Sequence, residues 1–135
     1  MPTAKTRDDV IAAFKAILDA AEIGATVYDY DPGRGDVDLI SVSIYVISSH
    51  TEGAGFGYPN YHEYWRVQLS IRHTDSQSCS ALAVKTANAI LQNADSQGLR
   101  NINKEADVGP VQPDPNVYGF LVTQDFLFET ELVFA

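Results

Sequence analysis

The chain alternates between two hydrophobic periodicities, and each change of period marks an element. Residues 6–24, "TRDDVIAAFKAILDAAEIG", set Val10, Phe14, Ile17 and Ala21 in one stripe with Ile11 and Leu18 beside it. That three-to-four spacing predicts an amphipathic helix. Thr6 followed by Asp9 has the form of a capping box, Asp8 and Asp9 suit the positive helix end, and Gly24 is the expected stop. "TVYDY" then reads as a short strand and "DPGRGDVD" as a turn-rich connection.

The period next drops to two. "LISVSIYVI" alternates Ile40, Val42, Ile44 and Val46 with Ser41, Ser43 and Tyr45. "YWRVQLSIRH" sets Trp65, Val67, Leu69 and Ile71 against Arg66, Gln68, Ser70 and Arg72. Both predict half-buried strands, paired as a long antiparallel hairpin arm. A second helix is expected in "DSQSCSALAVKTANAILQNA", started by Asp75 or Ser76 and ended near Gly98, with Ala81, Ala83, Ala87 and Ala89 allowing close packing. "VGPVQPDPNVYG" reads as a proline-rich loop that continues no ladder. "FLVTQDFLFETELVF" closes the chain as a strand, straight or bulged, with Phe120, Val122, Phe126, Phe128 and Leu132 on one side. The expected fold is one α+β domain over residues 1–135: two helices packed on a largely antiparallel sheet.

Composition narrows the function. The chain has 135 residues, 45% hydrophobic, enough for one core. No apolar run is long enough for a membrane span, and "MPTAKTRDDV" lacks the apolar core of a secretory signal. Cys79 is the single cysteine, which excludes an internal disulfide. Twelve aspartates and six glutamates against nine basic residues give a net charge of −9. No basic cluster exists on which to build a phosphate-binding surface, so direct nucleic-acid binding is not expected. Abundant aspartate with only four lysines also suits solubility in concentrated salt.

The motifs that invite a chemical reading each fall short. In "EGAGFGYPNYHEYW" Tyr58 occupies the third glycine position of a dinucleotide fingerprint, and a strand rather than a helix follows. His50 and His62 could meet across the hairpin with Glu63 adjacent, but no thiolate set completes a metal site. His73, Asp75 and Cys79 form the best catalytic grouping, with Asp75, Ser76 and Ser78 equally explained as helix caps. "DYDPGRGDVDLI" gathers Asp29, Asp31, Asp36 and Asp38 but departs from the calcium-loop pattern at Gly33, Arg34 and Ile40. Arg34-Gly35-Asp36 matches a three-residue adhesion signal of little specificity. No catalytic residue, metal or cofactor is assigned. The remaining feature is aromatic: Phe56, Tyr58, Tyr61 and Tyr64 around a glycine-rich tip suit a contact surface.

In the order and length of its elements the chain resembles the tail terminator proteins of long-tailed viruses, also called tail completion or tail-to-head joining proteins. The features that carry the resemblance are "DDVIAAFKAILDA", "VYDYDP", "ISVSIYVISSH…YWRVQLSIRH", "ALAVKTANAILQNA" and "VYGFLVTQDFLFETEL", nearly the whole chain. It implies a hexameric ring at the head-proximal end of the tail tube, ending tube polymerisation and docking to a head connector or head-completion protein. DNA would pass through the lumen without specific binding. The aspartate-rich composition would fit a virus of a halophilic archaeon. On this expectation Phe56, Tyr58, Tyr61 and Tyr64 meet neighbouring subunits or the tube, and Asp29, Asp31, Asp36 and Asp38 face the lumen or a neighbour. The competing expectations are another tail or neck protein, or a small enzyme or ligand-binding domain using Cys79 and His73.

Overall fold

The computed structural model describes residues 6–29, 38–53, 60–105, 108–113 and 119–133. Helix α1 spans Arg7–Ala21. Thr6 and Asp9 form the expected reciprocal box, with the Asp9 N–H donating to Thr6 Oγ1 at 3.1 Å and the Thr6 N–H to Asp9 Oδ2 at 2.8 Å. Its buried face is Val10, Ile11, Ala13, Phe14, Ile17 and Leu18, while Ala21 is exposed. The helix stops earlier than Gly24: Glu22 takes the left-handed cap conformation, φ 50°. Helix α2 spans Ser76–Asn93, capped by Asp75, and a 3-10 turn over Asp95–Gln97 leads into Gly98 at φ 76°. Of its alanines, Ala83, Ala87 and Ala89 are buried and Ala81 is not.

Among the described residues six strands form one mixed, mostly antiparallel sheet: β1 Thr26–Tyr28, β2 Ser41–Gly53, β3 Asn60–His73, β4 Arg100–Lys104, β5 Val108–Pro113 and β6 Phe120–Val133. Their order is β1-β2-β3-β6-β4, with β5 also paired to β6. Only β1 and β2 run parallel. The α+β class is therefore as the periodicities predict. Strand β6 has no bulge against β3, so one parity holds from Phe120 to Val133.

Both helices pack on the same side of the sheet, against β2, β3 and β6. Phe14 stands at the centre of this core, its ring 6.0 Å from Phe126 and 5.6 Å from Phe128. Fully burying such a side chain contributes roughly 1.5–3 kcal/mol. Two polar residues share the core side. Trp65 Nε1 donates to Thr130 Oγ1 at 3.0 Å, and Gln124 Nε2 donates to the Ala83 carbonyl of α2 at 3.0 Å. These bonds satisfy the Trp65 and Gln124 N–H donors, which would be costly to bury alone.

Three expectations change. The "VGPVQPDPNVYG" segment does enter a ladder, because β5 is an edge strand and its prolines need no outward donor. Strand β4, which no periodicity marks, pairs the other half of β6. The hairpin is not a free two-stranded arm: β6 accompanies β3 to the Asn60↔Val133 pair. Its predicted tip, including Phe56 and Tyr58, lies outside the described residues.

The registers divide the sheet into two ends. At the first, β1 covers the start of β2 and β5 covers the start of β6. There the polar face is closed rather than solvated: Ser41 and Ser43 are 0% exposed, Ser70 3% and Arg72 5%. Arg72 Nη1 donates to Ser43 Oγ at 3.3 Å and Ser70 Oγ to Tyr45 Oη at 3.2 Å. At the second end β2 continues past β1, and the same face is open.

Candidate functional site

The open end carries a groove on the helix-free face, about 440 Å³ in volume. It is lined by Ser48, His50, Tyr64, Asn101, Asn103 and Glu129, among others. The registers explain why these residues meet. His50 pairs with Tyr64, Tyr64 with Glu129, and Glu129 with Arg100, next to Asn101. One row therefore crosses four strands, and a second row follows through Ser48, Arg66, Leu127 and Asn103. Two bulges adjust the rows. On β2 the extra residue is Ile47, between Val46 and Ser48, and its side chain is 51% exposed. On β4 the shift lies between Arg100 and Asn103, where Asn101 adopts φ 53°.

Within the groove the rings of His50 and Tyr64 stack, with centroids 5.2 Å apart and planes at 17°. Asn101 Nδ2 donates to Glu129 Oε1 at 2.9 Å, and Asn103 Nδ2 to the Asn101 carbonyl at 3.3 Å. Arg66 anchors the floor. Its guanidinium forks onto Glu105, Nη1 to Oε2 at 2.8 Å and Nη2 to Oε1 at 3.1 Å, and Nη1 also donates to Asp125 Oδ2 at 2.7 Å. Gln68 Nε2 donates to the other Asp125 oxygen at 2.9 Å. The Glu105 and Asp125 hydrogen bonds raise the Arg66 pKa above its ordinary value. The Glu105 N–H donates to the Asp125 carbonyl at 2.9 Å, which pins the chain leaving β4 to mid-β6.

The residues singled out from sequence are dispersed. Tyr64 is half-buried in the groove; Tyr61 pairs with Gly53 and Leu132 through its backbone. Asp29 and Asp38 are exposed, at the two sides of an acidic segment whose Asp31 and Asp36 lie outside the described residues. Asp38 is bonded to β1: Thr26 Oγ1 donates to its carboxylate, and its own N–H donates to Tyr28 Oη at 3.1 Å. In the hairpin His50 stacks on Tyr64, whereas the backbone of His62 pairs with that of Glu52 two pairs further out. No group of three metal-ligating side chains gathers among the described residues.

The thiol grouping does not assemble for catalysis. Cys79 is 0% exposed, its Sγ directed at the Ile71 and Phe120 carbonyls at 3.5 and 3.7 Å. Burial pushes its pKa up, opposite to what a nucleophile needs. His73 Nδ1 accepts from the Thr74 N–H at 2.8 Å, and Asp75 accepts from the Ser78 N–H at 2.8 Å as the α2 cap.

Sequence reasoning missed Ile47, Arg66, Asn101, Asn103, Glu105, Asp125 and Glu129. One signal was present: Asp125 interrupts the apolar run of "FLVTQDFLF", which calls for a buried partner. No family model matches the chain, and no curated protein sequence matches it either. Among the described residues no helix is long and apolar enough to cross a membrane.

Proposed function

We propose that this protein is a structural virion component that closes as a ring on the head-proximal end of a viral tail tube, ends tube growth and joins the tail to the head connector. The observation that supports this reading best is the asymmetry of the sheet. One end is buried on both faces, while the other carries an open groove lined by His50, Tyr64 and Glu129. Groove residues of the kinds Tyr, His, Asn and Arg are typical of protein contacts. Ring closure needs two different patches that meet head to tail, which an asymmetric sheet supplies. A net charge of −9 suits a channel through which DNA slides without sticking. In this reading the partners are further copies of the chain, six in a ring, the tail tube protein and the head connector or head-completion protein, and the site of action is the tail neck of a virion. The burial of Cys79 speaks against the competing thiol-enzyme reading.

Particle mass and negative-stain images of the purified protein, across concentration and in low and molar salt, test the proposal. Closed six-fold rings are expected. Long tubes would point instead to a tail tube subunit, and monomers under every condition would count against a ring. A thiol reagent at pH 8 tests the competing reading: Cys79 should react only as fast as the native fold opens, and rapid labelling would revive it.

A further inference from the structure

The groove on the helix-free face has the dimensions and chemistry of a site for a small ligand. Its floor is Tyr64 and Leu127, both half-buried, on the adjacent strands β3 and β6. One wall carries Ser48 and His50 from β2, and the other carries Asn101 and Asn103 from β4. Three strand spacings separate the walls, about 14 Å between backbones. The volume of about 440 Å³ lies within the range of small-molecule sites.

The charges disfavour an ionic ligand. The Arg66 guanidinium is already forked onto Glu105 and bonded to Asp125. An anion would compete with those two carboxylates, in a chain of net charge −9. A cation would approach Arg66, and also Arg100, which stands opposite Glu129 in the ladder. The walls instead offer neutral groups. Asn101 donates one amide hydrogen to Glu129 Oε1 at 2.9 Å, and Asn103 donates one to the Asn101 carbonyl at 3.3 Å. Those bonds set how each amide points, and each amide keeps an oxygen and a second N–H for a ligand. The Ser48 hydroxyl both donates and accepts. Asn101 holds the left-handed φ of 53°, a backbone strain that collects at ligand sites.

The aromatic pair narrows the choice further. The Tyr64 and His50 rings stack on one another at 5.2 Å, so each spends one face on the other and no slot separates them. A ligand lies against an outer face, where C–H groups of slight positive charge meet the negative π cloud. Strands β3 and β6 are interior, paired on both sides, so an extended peptide finds no main-chain edge on this floor. A sugar ring supplies both requirements: an apolar C–H face for the aromatic floor, and a rim of hydroxyls that donate and accept. We infer that the groove binds a neutral carbohydrate, with one sugar ring against Tyr64 and its hydroxyls bonded to Asn101, Asn103 and Ser48. These residues all come from one chain, so the inference goes beyond the assembly proposed above and does not depend on it.

An NMR titration of the dilute protein with linear hexasaccharides of glucose, mannose, galactose and N-acetylglucosamine tests this. At least one should bind with a Kd of about 1 mM or tighter, shifting the side-chain amide signals of Asn101 and Asn103. Tyr64→Ala should weaken that binding about tenfold or more, and Asn101→Gly and Asn103→Ala about threefold or more each. Glycine takes the left-handed conformation freely, so Asn101→Gly keeps the bulge while removing the amide. Asn103 is exposed, so Asn103→Ala should leave the fold intact. Lys85→Ala, on the exposed side of α2, should leave binding unchanged. No shift with any of these sugars at about 10 mM would overturn the inference. Shifts confined to the helices would overturn it too, as would tighter binding of a hexagalacturonate than of the neutral sugars.

Discussion

The two ends of the sheet use similar strands for opposite purposes. At the closed end serines and an arginine are buried on the face away from the helices, and short strands or prolines guard both edges. At the open end the same strands carry Ser48, His50, Tyr64 and Glu129 around a groove, with a bulge that turns Ile47 outward. A strand is thus not polar or apolar along its whole length. What packs on each side, and whether a neighbour takes its edge, changes within a few residues.

The largest test of this contrast compares one residue type at both ends. Ile71 is 0% exposed and Ile47 is 51% exposed. Ile71→Ala should cost about 2–5 kcal/mol, because it leaves a cavity beneath α2. Ile47→Ala should change monomer stability by no more than about 0.5 kcal/mol. Urea unfolding of both variants at low protein concentration measures the difference; equal losses would erase the distinction between the ends.

A second test concerns how tightly the closed end is built. Gly119 enters β6 at φ 150°, and a Cβ there would lie 2.8 Å from the His73 carbonyl oxygen. Gly119→Ala must therefore strain the backbone or part β6 from β3, at a cost of about 1–3 kcal/mol. A thermal melt unchanged from wild type would show that the approach relaxes freely.

Much of this architecture is legible in the sequence because burial there is periodic. Both helices, the β2–β3 hairpin and β6 follow directly from the spacing of Val10 to Leu18, Val42 to Ile71 and Val122 to Phe128. Strands β4 and β5 do not. The first is nearly all exposed and broken by Asn101, and the second contains proline, so each exists because β6 offers an edge rather than through its own pattern. The candidate site is less legible still. Arg66 and Asp125 are 59 residues apart and meet only through strand register, and the bulge at Ile47 leaves no mark in "YVISSH". The tyrosines were visible as a cluster, but only Tyr64 can be assigned a neighbour among the described side chains, and that neighbour is His50.

Arg66 joins the two ends, and its loss should act locally. Arg66→Gln removes the fork to Glu105 and leaves the Asp125 carboxylate, 7% exposed, without its ionic partner. The corner after β4 should loosen, with amide exchange of Glu105 accelerated about tenfold or more while amides at Ile71 and Val122 keep their protection. Uniform acceleration across the sheet would mean that this cluster supports the whole fold instead.

The smallest expected effect lies at the start of α2, against the closed end. The hydrogen bond from the Ser78 N–H, followed by that from the Ser78 side chain, holds the Asp75 carboxyl below its ordinary pKa. Because the folded value is the lower one, ionised Asp75 adds stability that is fully present above the unfolded value of about 3.9. That stability is lost as pH falls through the folded value. Asn also caps a helix but does not ionise. Asp75→Asn should therefore be slightly less stable than wild type at pH 7, with the gap closing in acid below about pH 4. Denaturant unfolding of both proteins from neutral to acidic pH checks this. A gap that stays constant would show that the charge contributes nothing beyond the cap.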